Sequence, residues 1–153
     1  VNHSKLESVI VSLRASALKL QSENHYQWGH MGFCNCGYLA QEISGKQAQE
    51  IHKSALQKPG DWRDQLREYC PASGLPMDGI ISIMEDAGFS VQDLINLERL
   101  DDHRVLKRVG RGTLSHNSKQ DVVDYLNAWA SICEEEWLGS VKLTIMNSEL
   151  LSV

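Results

Sequence analysis

Lys119-Gln120-Asp121-Val122-Val123-Asp124-Tyr125-Leu126-Asn127-Ala128-Trp129-Ala130-Ser131-Ile132-Cys133-Glu134-Glu135-Glu136-Trp137-Leu138 decides the fold class. Val122, Leu126, Trp129, Cys133 and Trp137 recur at four-three-four-four spacing, which aligns them on one stripe of an α-helix. Ser118 and Asp121 supply a cap at its start. Such a stripe has to be buried against another element, and the matching surface lies at the other end of the chain. Leu6, Val9, Ile10, Leu13, Ala17 and Leu20 follow the same three-and-four spacing, behind a Ser4–Glu7 capping-box signature. These two helices are expected to form the spine of the domain.

Between them the pattern stays helical and the breaks are short. A helix is expected over about 35–43, with Leu39, Ala40 and Ile43 inward. Gly45 separates it from a segment over 46–56, which Pro59-Gly60 stops. Asp61 is placed to cap a short helix carrying Trp62, Leu66 and Tyr69. Pro76 suits the first turn of a helix with Ile80, Ile81, Ile83, Met84 and Ala87, closed by Gly88 in the left-handed region. Ser90 and Asp93 open another helix with Val91, Leu94, Leu97 and Leu100, and residues 102–109 add one more helical piece. Beyond Gly139, Val141, Leu143 and Ile145 alternate with polar neighbours, so a short strand or extended tail is expected. The reading is a single all-α domain over 1–153, an irregular bundle of six or seven helices.

Composition limits the function classes. The chain has 153 residues, 42% hydrophobic and 23% charged, which suits one globular domain with a real core. A formal net charge of −5 opposes non-specific binding to nucleic acid or an anionic membrane. No apolar run is long enough for a bilayer span, and the first residues lack a signal-peptide pattern. The expectation is a cytoplasmic protein with reduced thiols at Cys34, Cys36, Cys70 and Cys133, the last of them in a core stripe.

Chemistry concentrates in Trp28-Gly29-His30-Met31-Gly32-Phe33-Cys34-Asn35-Cys36-Gly37. Three readings compete there. A cysteine at a helix N-terminus feels the positive end of the dipole, so Cys34, or Cys36 in its place, is a candidate nucleophile with His30 as base. Asn35 is the expected cap. Residues two apart on a helix diverge by about 200°, so only one of the two thiols is expected to face a pocket unless the segment is extended. Distant His52, His103 or His116 are alternative partners for the thiol. The second reading is zinc held by the cysteines with His25 or His30, but one Cys-x-Cys without a matching pair is a poor ligand pattern, and no metal ligand is assigned. The third is structural: glycines allowing a tight turn and close packing, with cysteines filling small gaps.

The Gly and Cys ahead of a helix superficially resemble the nucleophile segment of papain-like proteases. The Trp that follows that family's nucleophile, its Gln spacing and its downstream His context are all missing, so membership is not inferred. Asp86 to Ser90, between two short helices, resembles the turn of some bacterial helix-turn-helix domains. Asp93 and Glu98 on the following helix oppose phosphate, so a DNA-binding regulator is the third-ranked reading. Arg99, Arg104, Lys107, Arg108 and Arg111 are read as a solvated face, with an anion site as the sharper alternative.

The leading functional expectation is therefore a helical protein binding a small molecule or protein partner near residues 26–38. Its candidate contacts are Tyr26, Trp28, Gly29, Gly32, Asn35 and Cys70. A cysteine-dependent hydrolase or thiol-transfer enzyme is the rival. No cofactor and no oligomeric state is assigned.

Overall fold

The computed structural model describes residues 1–152, and helices are the only regular elements among them. A 3-10 turn at His3–Lys5 leads into α1 (Leu6–Ser22). Then follow α2 (Asn35–Ser44), α3 (Ala48–Ala55), α4 (Trp62–Arg67), α5 (Pro76–Asp86), α6 (Val91–Arg99), α7 (His103–Val109) and α8 (Lys119–Leu151). The all-α reading holds, with eight α-helices where six or seven were expected.

α1 and α8 pack antiparallel, and their polar edges fix the register. Glu7 accepts from Trp137 Nε1 at 3.0 Å. Arg14 reaches Asn127 Oδ1 at 2.9 Å and both oxygens of Glu134 at 3.0 Å. At the far end Lys119 Nζ donates to the Glu23 carbonyl at 2.6 Å. The expected stripes meet in this seam: Leu6, Val9, Leu13, Ala17 and Leu20 are buried, as are Val122, Leu126, Trp129 and Cys133. α2 sits at the centre and packs on α1, α3, α5 and α6. α4 lies on α6, and α7 lies on α8.

Most local signals act as read. Asp61 with Asp64, and Ser90 with Asp93, form reciprocal capping boxes. Pro76 opens α5. Gly88 closes it at φ 112°, where a Cβ would stand 2.8 Å from Val9 Cγ2, so the turn presses directly on α1.

Three local expectations are corrected. The Ser4–Glu7 box does not form: Asn2 caps the 3-10 turn, and Glu7 is spent on Trp137. Asn35 is not the cap of α2 but its first helical residue, with Cys34 at the cap position. The C-terminal segment is not extended, because α8 continues through it to Leu151. The basic run is also neutralised rather than open to an anion: Arg104, Arg108 and Arg111 pair with Glu136, Glu135, Asp121 and Asp124 on α8.

No helix among the described residues is long and apolar enough to cross a membrane.

Candidate functional site

The loop between α1 and α2 turns twice and has few free peptide groups. Phe33 O accepts from Gln27 N, and His30 O accepts from Phe33 N and Cys34 N. Side chains from three helices satisfy much of the rest. Trp62 Nε1 donates to Met31 O at 2.7 Å, and Gln41 Nε2 donates to Gly32 O at 2.6 Å. Met31 N donates to His52 Nδ1, and Gly32 N to His30 Nδ1, each at 3.1 Å. Both imidazoles thus accept at Nδ1, which fixes them as neutral Nε2–H tautomers. Burial and the neighbouring His52 hold the His30 pKa below its ordinary value.

Two glycines allow this packing. A Cβ on Gly32 would fall 2.0 Å from Ala48 O, and one on Gly37 would fall 2.5 Å from Gly32 C and Met31 O. The backbones of α2, the loop and the start of α3 therefore touch without side chains between them. Gly29 is different: nothing lies within 4 Å of its Cβ position, so it serves no close approach.

Beneath the loop lies a buried polar cluster. Asn35 Nδ2 donates at 3.2 Å to Leu97 O, which also accepts from Leu100 N, and at 3.1 Å to Glu98 O, a carbonyl in the last turn of α6 with no backbone partner. Leu100, at φ 55°, ends α6 in the left-handed region. Asn35 Oδ1 accepts from Tyr26 OH at 2.7 Å, and that hydroxyl also lies against His116 O. The Glu98 carboxyl accepts from Cys36 N at 3.3 Å and lies 3.8 Å from Cys34 Sγ. It is 3% exposed and has no cation beside it; Arg99 turns instead to Asp61 and lies over the Trp28 ring. Burial pushes the Glu98 pKa up to about 7.

Both thiols point toward α6, the case expected for an extended segment. Cys34 precedes the helix in extended backbone, φ −86° and ψ −172°, so the helical divergence does not apply to the pair. Cys36 Sγ donates to Leu94 O at 3.2 Å, and both cysteines are fully buried. Burial, then the Glu98 charge, pushes both thiols well above their ordinary pKa. That is the opposite of an activated nucleophile, despite the helix terminus. His30 makes its ring bond to Gly32 N, not to a thiol. Cys70 lies exposed in the turn between α4 and α5, and its thiol enters none of these bonds. His103 starts α7 on the surface.

The outward side of the loop carries rings. Trp28 packs on His116 with centroids 4.3 Å apart, with Arg99 on the Trp28 face at 5.9 Å. His30 stacks on His52 at 4.1 Å and 18°, and Phe33 packs on His30 at 4.7 Å and on His25 at 5.5 Å. Beside this face opens a cleft of about 470 Å³ and mixed polarity, lined by Lys19, Glu23, His25, Phe33, Gln41 and Lys46 among others. Among the described residues no group of three or more His, Cys, Asp or Glu is placed to hold a metal ion.

Of the expected site residues, Tyr26, Trp28, His30, Gly32, Cys34, Asn35 and Cys36 fall in one structural unit. The sequence reading missed Glu98, Trp62 and Gln41. Glu98 carried a signal: it stands four residues after Leu94 and beside Leu97, on the apolar face of α6. Compared with protein-family models, with curated proteins and with solved structures, the chain matches none.

Proposed function

We propose that this protein is a binding module whose recognition face is the α1–α2 loop with His52, Arg99 and His116. One observation carries the reading: two ring clusters, Trp28 with Arg99 and His116, and His30 stacked on His52 beside Phe33, stand half-exposed on a loop whose peptide groups are pinned from beneath. Aromatic and Arg side chains held rigid at a surface lose little entropy on docking and dominate binding energies at interfaces. The adjoining cleft is open and mixed in polarity, whereas small-molecule sites envelop most of their ligand. A protein or peptide partner therefore fits this face better than an enclosed metabolite.

The cysteine-dependent enzyme is less well supported. Its thiols are fully buried and raised in pKa, and no imidazole bonds to them.

Protein-observed NMR against a peptide library tests the reading. Binders are expected to shift the amides of residues 26–33, His52 and His116, and Trp28→Ala is expected to weaken them at least tenfold. Binders that cluster elsewhere, or that ignore Trp28→Ala, overturn it.

A further inference from the structure

Trp137 is the last residue of α8 packed against the core, and from Leu138 onward the helix runs past the start of α1. Fourteen residues at about 1.5 Å each make a projection of roughly 20 Å. It is not polar. Leu138, Leu143, Ile145, Met146 and Leu150 are 51% to 74% exposed. At about 100° per residue these five, with Val141, fall within one arc of about 200°, and Ser140, Thr144, Asn147 and Ser148 lie opposite, joined only in the last turn by Leu151.

This arc is not a remnant of the body's seam. Within the body, Val122, Leu126, Trp129, Ala130 and Cys133 form the centre of the buried face, with Val123 and Tyr125 at its edges. Carried forward along the same helix, the centre of that face holds Ser140, Thr144, Asn147, Ser148 and, in the last turn, Leu151, while Val141 and Leu143 continue its edges. The apolar side therefore swings about half a turn at Gly139 and looks away from the direction in which the bundle packs.

Charge identifies what covers it. Lys142 and Glu149 are the only charged residues between 138 and 153. Seven residues apart, they share one direction in the middle of the apolar arc. An antiparallel pairing about a two-fold axis between Ile145 and Met146 sets Lys142 opposite Glu149 twice over, with Val141 opposite Leu150 and Ile145 opposite Met146. A parallel pairing sets Lys142 against Lys142 and Glu149 against Glu149, which repels. The face is thus self-complementary in one orientation only, as an isologous interface requires. We propose that it docks a second copy of this chain, the two C-terminal projections of α8 pairing antiparallel.

Sedimentation of the full chain over a wide concentration range tests this. A reversible shift from 17.2 kDa toward twice that mass is expected. Lys142→Glu and Glu149→Lys should each weaken dimerisation at least tenfold, and the doubly exchanged chain should regain it, because the antiparallel pairs are then rebuilt. A monomer at every concentration overturns the proposal, as does a dimer indifferent to the single exchanges or a double exchange that stays monomeric. Sedimentation with anionic vesicles and no self-association likewise overturns it in favour of a lipid surface. Both positions are exposed, so unchanged thermal melts of the single variants confirm that the fold is intact.

Discussion

Gly32 and Gly37 bring three backbones into contact, and neither position leaves room for even a methyl group. The atoms a Cβ would meet are backbone carbons and carbonyl oxygens, which cannot rotate aside. Gly32→Ala and Gly37→Ala are each expected to cost about 2–3 kcal/mol or more by urea unfolding. Gly29→Ala is expected to fall within about 0.5 kcal/mol of the parent, since its Cβ position is open. In the sequence these three glycines look alike, because a glycine does not announce which backbone passes in front of it. The same blindness applies to Cys34 and Cys36. Their spacing was plain, but the extended backbone at Cys34 that turns both thiols inward depends on where α6 lies.

At the level of elements, Asn35 ties the start of α2 to the end of α6. Its amide bonds two α6 carbonyls, and its oxygen holds Tyr26. Asn35→Ala strands these groups in a buried place and is expected to cost about 2–3 kcal/mol. Tyr26→Phe should cost less, and the double variant should cost less than the sum, because the two share one bond. A set of urea melts gives all three values. Helix positions were legible as far as Leu138, since three-and-four spacing, Asp61, Ser90, Pro76 and Gly88 act locally. The end of α8 was misread for a physical reason. Val141, Leu143 and Ile145 alternate as a half-buried strand would, and nothing local shows that the helix continues with its apolar side turned over.

For the whole molecule, Glu98 and His30 pull stability in opposite directions with pH. The Glu98 carboxyl is raised from 4.5 to about 7 in the fold. Its contribution is present in full below pH 4.5 and is lost as pH rises through 7, on the order of 3 kcal/mol. His30 is lowered, so its contribution is present above pH 6.5 and is lost as pH falls through its folded value. Stability measured by urea at fixed pH is expected to decline from pH 5 to pH 8, and Glu98→Gln should flatten that decline. A decline of unchanged slope in Glu98→Gln would assign it to other groups. The sequence marked the candidate site by its loop, yet the titrating carboxyl beneath sits sixty residues away and is joined only by folding. The thiol arrangement also gives the protein a clock. With the buried Cys133 of α8 replaced by serine, Cys70 faces water while Cys34 and Cys36 are sealed, so an alkylating reagent meets one sulfur at once and the other two only when the loop lifts off α6. The lag between the first and later modifications then reads the lifetime and frequency of that opening directly, without a partner and without a label.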